Sequence, residues 1–367
     1  MKIFLFSLAN NQSERNYPFT QFFHKNDKIS INLMSKNKLK YKYLTIIFYP
    51  IAVILLTPIL LARLLFMVKN KNVLVLFPGI LELLILTILK SIFRINIYYD
   101  AFTSFYLTIV EDRKLIKKNS FTAKILIRLD RMTVKLSDVQ IFETKEMKDY
   151  YSQNLKLQVF NYCIIKSSRE INSPIPAISS SNFREITFWG SFEAMHGLDY
   201  IIDAAEILSD RSEIRFNLIG NGPYKKYIQE SVIKRKLNNV VFFDFLTKDL
   251  NKEDNLYKKI EEAEICLGTF SDSLKNNLVI PGKIVEAMQM SKPVVTANTL
   301  YMRNNCSDAA VLVKPENGLA IAKGIISLLD DKKKVLSIVA NANLYFQNNH
   351  STNIFNEKLS NLLFHNK

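Results

Sequence analysis

Short apolar runs alternate along most of this chain with stretches whose apolar residues recur every three or four positions. "KIFLFSL" near the start, "NVLVLFPG" (72–79), "INIYYDAF", whose strand ends at Asp100, and "VQIFET" (139–144) have the length and residue types of buried strands. Helical spacing occupies "ILELLILTILKSIF" (80–93), a long basic region from Asp112 to Asp138, and "KEMKDYYSQNL". The alternation stops over 166–185, "KSSREINSPIPAISSSNFRE", where serines and prolines without apolar period mark a linker. It then resumes with strands "ITFWG" (186–190), "IRFNLIG", "VVFFDF", "ICLGTF" and "PVVTA", separated by helices such as "GLDYIIDAAEIL" and "YKKYIQESVIKRKL".

Apolar strands alternating with amphipathic helices predict parallel sheets covered on both faces. The expected fold is therefore α/β, with two doubly wound domains and a cleft between them at the carboxyl ends of their strands. The first domain is expected over 1–165, the linker over 166–185 and the second domain over 186–345. A helix over 346–367 is placed for a return to the first domain.

One run does not fit a soluble strand or helix. From Tyr43 to Val68 only Arg63 is charged, nominally long enough to cross a bilayer. The strands expected before and after it belong to one sheet, so both its ends must stay on one side of a membrane. Pro50 and Pro58 favour a broken helix, and Lys36, Lys38, Lys40, Lys42, Lys69 and Lys71 flank it. The run 43–68 is expected to dock on an anionic membrane surface; a buried core helix is the competing reading. The apolar segment 80–93 suits either interior packing or the same membrane-facing surface.

Composition narrows the chemistry. Hydrophobic residues at 48% and charged residues at 23% describe a globular chain, and 367 residues suffice for two cores. Lys and Arg outnumber Asp and Glu by 49 to 34, a net charge of +15. The excess is spread along the chain with no nucleic-acid-binding signature, so an anionic membrane or anionic small substrate is expected and no nucleic acid. Cys163, Cys266 and Cys306 lack metal-ligand spacing, the four histidines form no i,i+4 pair, and no metal or cofactor is expected. Unpaired thiols and the absence of a secretory-type apolar region at the N-terminus suit a cytoplasmic location.

Three stretches carry a more specific signal: "FWGSFEAMHGLDYIIDAAEIL", "FNLIGNGP" and "CLGTFSDSLKNNLVIPGKIVEAMQMSKPVVTA". In these the chain resembles glycosyltransferase family 4, whose members have the GT-B fold of two facing Rossmann-like domains, and within it a bacterial subgroup that builds surface polysaccharides such as O-antigen, capsule or exopolysaccharide. The resemblance covers 186–330 closely and 1–165 more coarsely. It implies a retaining, metal-independent hexosyltransferase that uses a nucleotide-sugar donor and a polyprenyl-linked or glycan acceptor. The enzyme would work on the inner face of the plasma membrane as a peripheral protein.

Helix N-termini present amides that favour phosphate, and the junctions Gly190–Gly197 and Val279–Lys283 are two such places. The resemblance assigns Lys283 to the donor diphosphate and Glu286, one turn along the same helix face, to the ribose hydroxyls. Gly190, Ser191, Gly197, Gly220, Gly222, Lys275, Val279 and Ile280 complete the expected donor site, with His196 beside the phosphates as a hydrogen-bond donor. Asp100 is expected at the acceptor hydroxyl or the sugar, with Asp112 and Arg113 as weaker candidates. Departures from the family pattern are Leu278 at the first of its two glutamates, Ser191 and His196 at two basic positions, and Tyr99 where a histidine often precedes the aspartate. These departures motivate an alternative, a GT-B-fold binding or scaffold subunit without activity.

Overall fold

The structure is a computed structural model, and it describes residues 3–7, 15–23, 28–30, 72–169, 182–249, 252 and 255–365. The expected membrane-docking run 43–68 and most of the expected linker, 170–181, lie outside the described residues. Among the described residues no helix is long and apolar enough to cross a membrane. The chain divides into two compact units, Met1–Ser168 with Thr352–Lys367, and Arg169–Ser351.

The first unit holds strands β1 (Ile3–Ser7), β2 (Lys28–Ser30), β3 (Asn72–Val75), β4 (Asn96–Asp100), β5 (Val139–Phe142) and β6 (Tyr162–Ile164). They form one parallel sheet in the order β2-β1-β3-β4-β5-β6. β2 and β6 add edges that the alternation does not announce, because each has only three residues. Helices Ile80–Lys90 and Phe121–Leu136 follow β3 and β4. Both crossovers step the same way along the sheet, and right-handed connections put both helices on one face.

The basic region 112–138 is not one helix. A π-helical turn, Leu107–Asp112, ends at a loop in which Lys114 takes a left-handed φ of 51°, and a new helix starts at Phe121. Ser120 sets that start, because its hydroxyl accepts from the Ala123 amide at 3.1 Å.

Buried Asp130 of this helix ties it to the chain entering the π-turn. Its carboxylate accepts from Ser104 Oγ (2.6 Å), Phe105 N (2.7 Å) and Tyr106 N (3.0 Å). Burial pushes its pKa up to about 6, against the pull of those three donors. A carboxyl raised this way holds a proton in the folded state that the unfolded chain has already released. Its contribution is therefore complete below the ordinary carboxylate range and disappears as pH climbs through about 6. That difference amounts to about 3 kcal/mol. Asp130→Asn should flatten the stability profile between acid and neutral pH relative to wild type, as read from denaturant melts; parallel profiles would refute the assignment.

The second unit repeats the plan with β7 (Arg184–Trp189), β8 (Ile214–Ile219), β9 (Val240–Phe243), β10 (Ile265–Leu267), β11 (Val294–Ala297) and β12 (Val311–Val313). The parallel order is β12-β11-β10-β7-β8-β9. Period-two alternation sends Phe188, Ile265 and Leu267 into one core, with helices Leu198–Ile207 and Gly318–Leu329. Trp189 and Cys266 go into the other, with helix Gly282–Gln289. Chain order runs outward from β7 in one direction through β9 and then jumps to β10 on its other side. The sheet therefore switches direction between β7 and β10, where open α/β sheets take ligands at the carboxyl ends of strands.

Candidate active site

The loops leaving β7 and β10 are fastened together at that switch point. Phe270 N donates to His196 O at 2.9 Å, Asn276 Nδ2 donates to Met195 O at 3.1 Å, and Ser271 Oγ donates to the same carbonyl. Gly197 lies at φ 69°, and a side chain there would press on the Phe270–Ser271 backbone. This glycine is needed for the closeness of the two loops as well as for the turn into helix Leu198–Ile207.

Gly190 follows β7, and a Cβ on it would lie 3.1 Å from Lys283 Nζ and 3.7 Å from His196 Cε1. Its missing side chain leaves a small space bordered by an amine and an imidazole. Lys283 comes from the first turn of helix Gly282–Gln289, is 9% exposed, and rests its Nζ 3.7 Å from the centre of the Phe188 ring. Among the described residues no acceptor hydrogen-bonds this Nζ. Burial pushes its pKa well below the ordinary lysine value, and nearby Glu286 only partly offsets this. A buried amine with no acceptor is ready to receive an anion, which would restore its charge.

His196 is buried as well, and its Nδ1 faces the Ser191 carbonyl oxygen. A carbonyl only accepts, so Nδ1 carries the hydrogen. Burial first, and then the charge of Lys283, push the imidazole pKa down to about 2. The ring is therefore neutral at working pH and Nε2 is a lone pair. The donor role toward phosphate expected of His196 gives way to an acceptor role, suited to a hydroxyl.

Lys283 and Glu286 are not a surface ion pair, since Glu286 is also buried. Its carboxylate accepts from Trp189 Nε1 at 2.9 Å and from Lys248 Nζ at 2.6 Å, with Arg169 Nη1 at 3.6 Å. Trp189, Lys248 and Arg169 are not among the site residues expected from the sequence. Trp189 had one available signal, as the only tryptophan in the chain and at a strand end beside a glycine. Lys248 and Arg169 sit in irregular chain and had none.

The remaining expected residues fall into three groups. Ser191 is exposed at the loop, and half-buried Lys275 lies near enough for its charge to disfavour a protonated His196. Gly220 and Gly222 pack on the neighbouring loop: side chains there would strike the Gly190 carbonyl oxygen and the Phe192 backbone. Their amides donate to Phe243 O and Asn221 Oδ1, so these glycines shape the site from behind. Ile280 and Leu278 are buried apolar side chains and Val279 is half-buried.

Asp100 belongs to the first unit, where the structure gives it a partner that the sequence does not suggest. It is fully buried and pairs with Arg15, Nη2 to Oδ1 at 2.5 Å and Nε to Oδ2 at 3.1 Å. Burial raises the Asp100 pKa, Arg15 pulls it back, and Glu143 adds a smaller upward push. Arg15 also donates to Ile165 O at 2.8 Å. Asp100 is therefore not the free carboxylate expected at the acceptor hydroxyl or the sugar. Asp112 is half-buried and Arg113 exposed at the end of the π-turn.

Residues 184–331 match the profile of the family described as Glycosyl transferases group 1. No protein of curated function matches the chain by sequence. Among solved structures, the Anabaena protein Alr3699/HepE in complex with UDP is similar at TM-score 0.72 and 15% identity, covering 99% of each chain. Sucrose-phosphate synthase from Thermosynechococcus elongatus superposes at TM-score 0.69 and 13% identity, covering 98% of this chain and 97% of its own. A glycosyltransferase from Rickettsia africae gives TM-score 0.62 and 13% identity over 100% and 99%. The fold is two parallel α/β units of the GT-B kind, and the matched segment is one of the glycosyl transferase group 1 kind. The group 1 segment lies within the second unit and contains Gly190, His196, Lys283 and Glu286.

Proposed function

We propose that the protein is a retaining hexosyltransferase that moves a sugar from a nucleoside-diphosphate sugar to a lipid-linked or glycan acceptor. The acceptor belongs to bacterial surface polysaccharide synthesis, and the enzyme works as a peripheral protein on the inner face of the plasma membrane. The observation that carries the donor assignment is Lys283, a buried amine lacking an acceptor among the described residues, held beside Gly190. A diphosphate there supplies the missing counter-charge. As the bond between sugar and diphosphate breaks, negative charge grows on the leaving group, and a fixed ammonium lowers the barrier.

Glu286 takes the ribose. Two hydroxyls replace the Lys248 bond on its carboxylate, while Trp189 holds the other oxygen in place. His196 Nε2 accepts from a sugar hydroxyl. The Anabaena protein has been crystallised with UDP and with UDP-glucose, which supports a uridine nucleotide as the first donor to try.

A ligand that binds only the folded state raises its stability, by about 2.7 kcal/mol at a hundredfold excess over Kd. Thermal melts with a panel of nucleoside diphosphates should therefore show a shift with at least one. Glu286→Ala should weaken that ligand by about tenfold or more, the cost of unpaired polar contacts in a buried site. No shift across the panel would end the donor assignment. Unchanged affinity in Glu286→Ala would end the ribose assignment alone.

A further inference from the structure

We propose that the loop 113–120 and the outer face of helix Phe121–Leu136 form a docking surface for anionic lipid bilayers, separate from the run 43–68. Between Arg113 and Lys135 the sequence has eight cations and a single carboxylate, Asp130. That carboxylate is fully buried and hydrogen-bonded inward, so it offsets none of the charge at the surface. Lys118 is paired with Glu111 at 2.7 Å. Arg113, Lys114, Lys117, Lys124 and Arg128 are exposed.

Charge alone would fit any polyanion, and the apolar side chains among these cations decide for a bilayer. Leu115 is 71% exposed and Phe121 73% exposed, with Ile125 on the same helix face. Positions 121, 124, 125, 128, 132 and 135 recur at helical spacing, so Phe121, Ile125 and Met132 share one face with Lys124, Arg128 and Lys135. The opposite face, with Ala123, Leu126, Asp130, Thr133 and Val134, is buried. Large apolar side chains ringed by lysine and arginine are what an interfacial helix presents: the rings and branches enter the acyl boundary while the cations reach the lipid phosphates. A nucleic-acid backbone would use the cations and leave Leu115 and Phe121 in water. Helix Ile80–Lys90, on the same face of the sheet and packed beside this one, adds Ile88 and, just past its end, Ile92, both largely exposed.

The inference extends the membrane attachment proposed above and is independent of the transfer chemistry. The test is co-sedimentation of the full chain with vesicles of phosphatidylcholine mixed with phosphatidylglycerol, against pure phosphatidylcholine and at increasing salt. Wild type should pellet with the anionic vesicles and be released by salt. Leu115→Ser with Phe121→Ser should cut the partition coefficient by about tenfold or more. Lys117→Gln with Lys124→Gln should cut it by roughly fivefold per charge removed.

All four side chains are exposed, so the melting temperature and any nucleotide-induced shift should match wild type. Retention of those readouts separates this inference from the donor assignment. Wild type that ignores anionic vesicles, or a serine variant that pellets like wild type, overturns it. So does tighter binding to single-stranded nucleic acid that the same variants abolish.

Discussion

Replacing Lys283 with methionine should lower turnover by roughly 10²–10³-fold, the usual effect of removing one fixed charge that stabilises a growing anion. The same replacement should leave the ligand-free protein as stable as wild type or more so. Its Nζ is buried against Phe188 with no acceptor among the described residues, and an apolar chain of similar length removes that cost while filling the space. A residue whose loss improves the fold and ruins the reaction is held for the reaction.

The second readout is pH. In the free protein burial holds Lys283 well below its ordinary value, and a bound diphosphate raises it, so binding takes up a proton. Over the range where free Lys283 is neutral and bound Lys283 is charged, nucleotide affinity should fall about tenfold per pH unit. The measurement belongs above the phosphate's own titration near about 6. His196 contributes no slope there, because it is already neutral. Calorimetric titrations should show the slope in wild type and not in Lys283→Met. Turnover within twofold of wild type, or a flat affinity profile in both proteins, would remove Lys283 from the mechanism.

The second large effect is structural. Asp100→Ala should destabilise the first unit by about 3–5 kcal/mol, since it leaves the Arg15 guanidinium buried without its carboxylate. Arg15→Leu combined with Asp100→Leu should recover much of that loss, because replacing both charges leaves none uncompensated. The unfolding transition must be assigned to the first unit, as two units need not melt together. If Asp100→Ala changes stability by less than about 0.5 kcal/mol, within the range of ordinary surface substitutions, the pair does not hold this region together.

The alternation of apolar runs and helical spacing made most central strands of both sheets legible. Their burial on two faces writes itself into consecutive valine, isoleucine, leucine and phenylalanine residues. The edge strands Lys28–Ser30 and Tyr162–Ile164 were not legible, because three residues carry no period. The basic region 112–138 was misread as continuous helix: lysines have good helix propensity, and only the left-handed Lys114 and the Ser120 cap show the break.

Where a short stretch places two polar side chains one helical turn apart, as with Lys283 and Glu286, their shared helix was legible and the structure keeps both buried on it. The site was opaque where partners come from distant chain. Arg15 lies 85 positions from Asp100, and Lys248 lies 38 from Glu286; no local pattern connects such pairs. The tautomer and neutrality of His196 were equally unreadable, because they depend on the Ser191 carbonyl and on an amine from a separate helix.

The last helix returns to the first unit. Phe355, Leu359, Leu362 and Leu363 enter a core with Leu5, Phe19, Leu74 and Ile141, and the rings of Phe19 and Phe355 meet edge to face at 4.9 Å. On a ribosome, the half that emerges first therefore lacks part of its core until residues 355–363 have left the exit tunnel. The half made second has all its own strands and helices available earlier. Domains usually finish in the order in which they are synthesised. The packing predicts the reverse order for this chain, and a stop before residue 352 would deprive the N-terminal unit, not the C-terminal one, of core side chains.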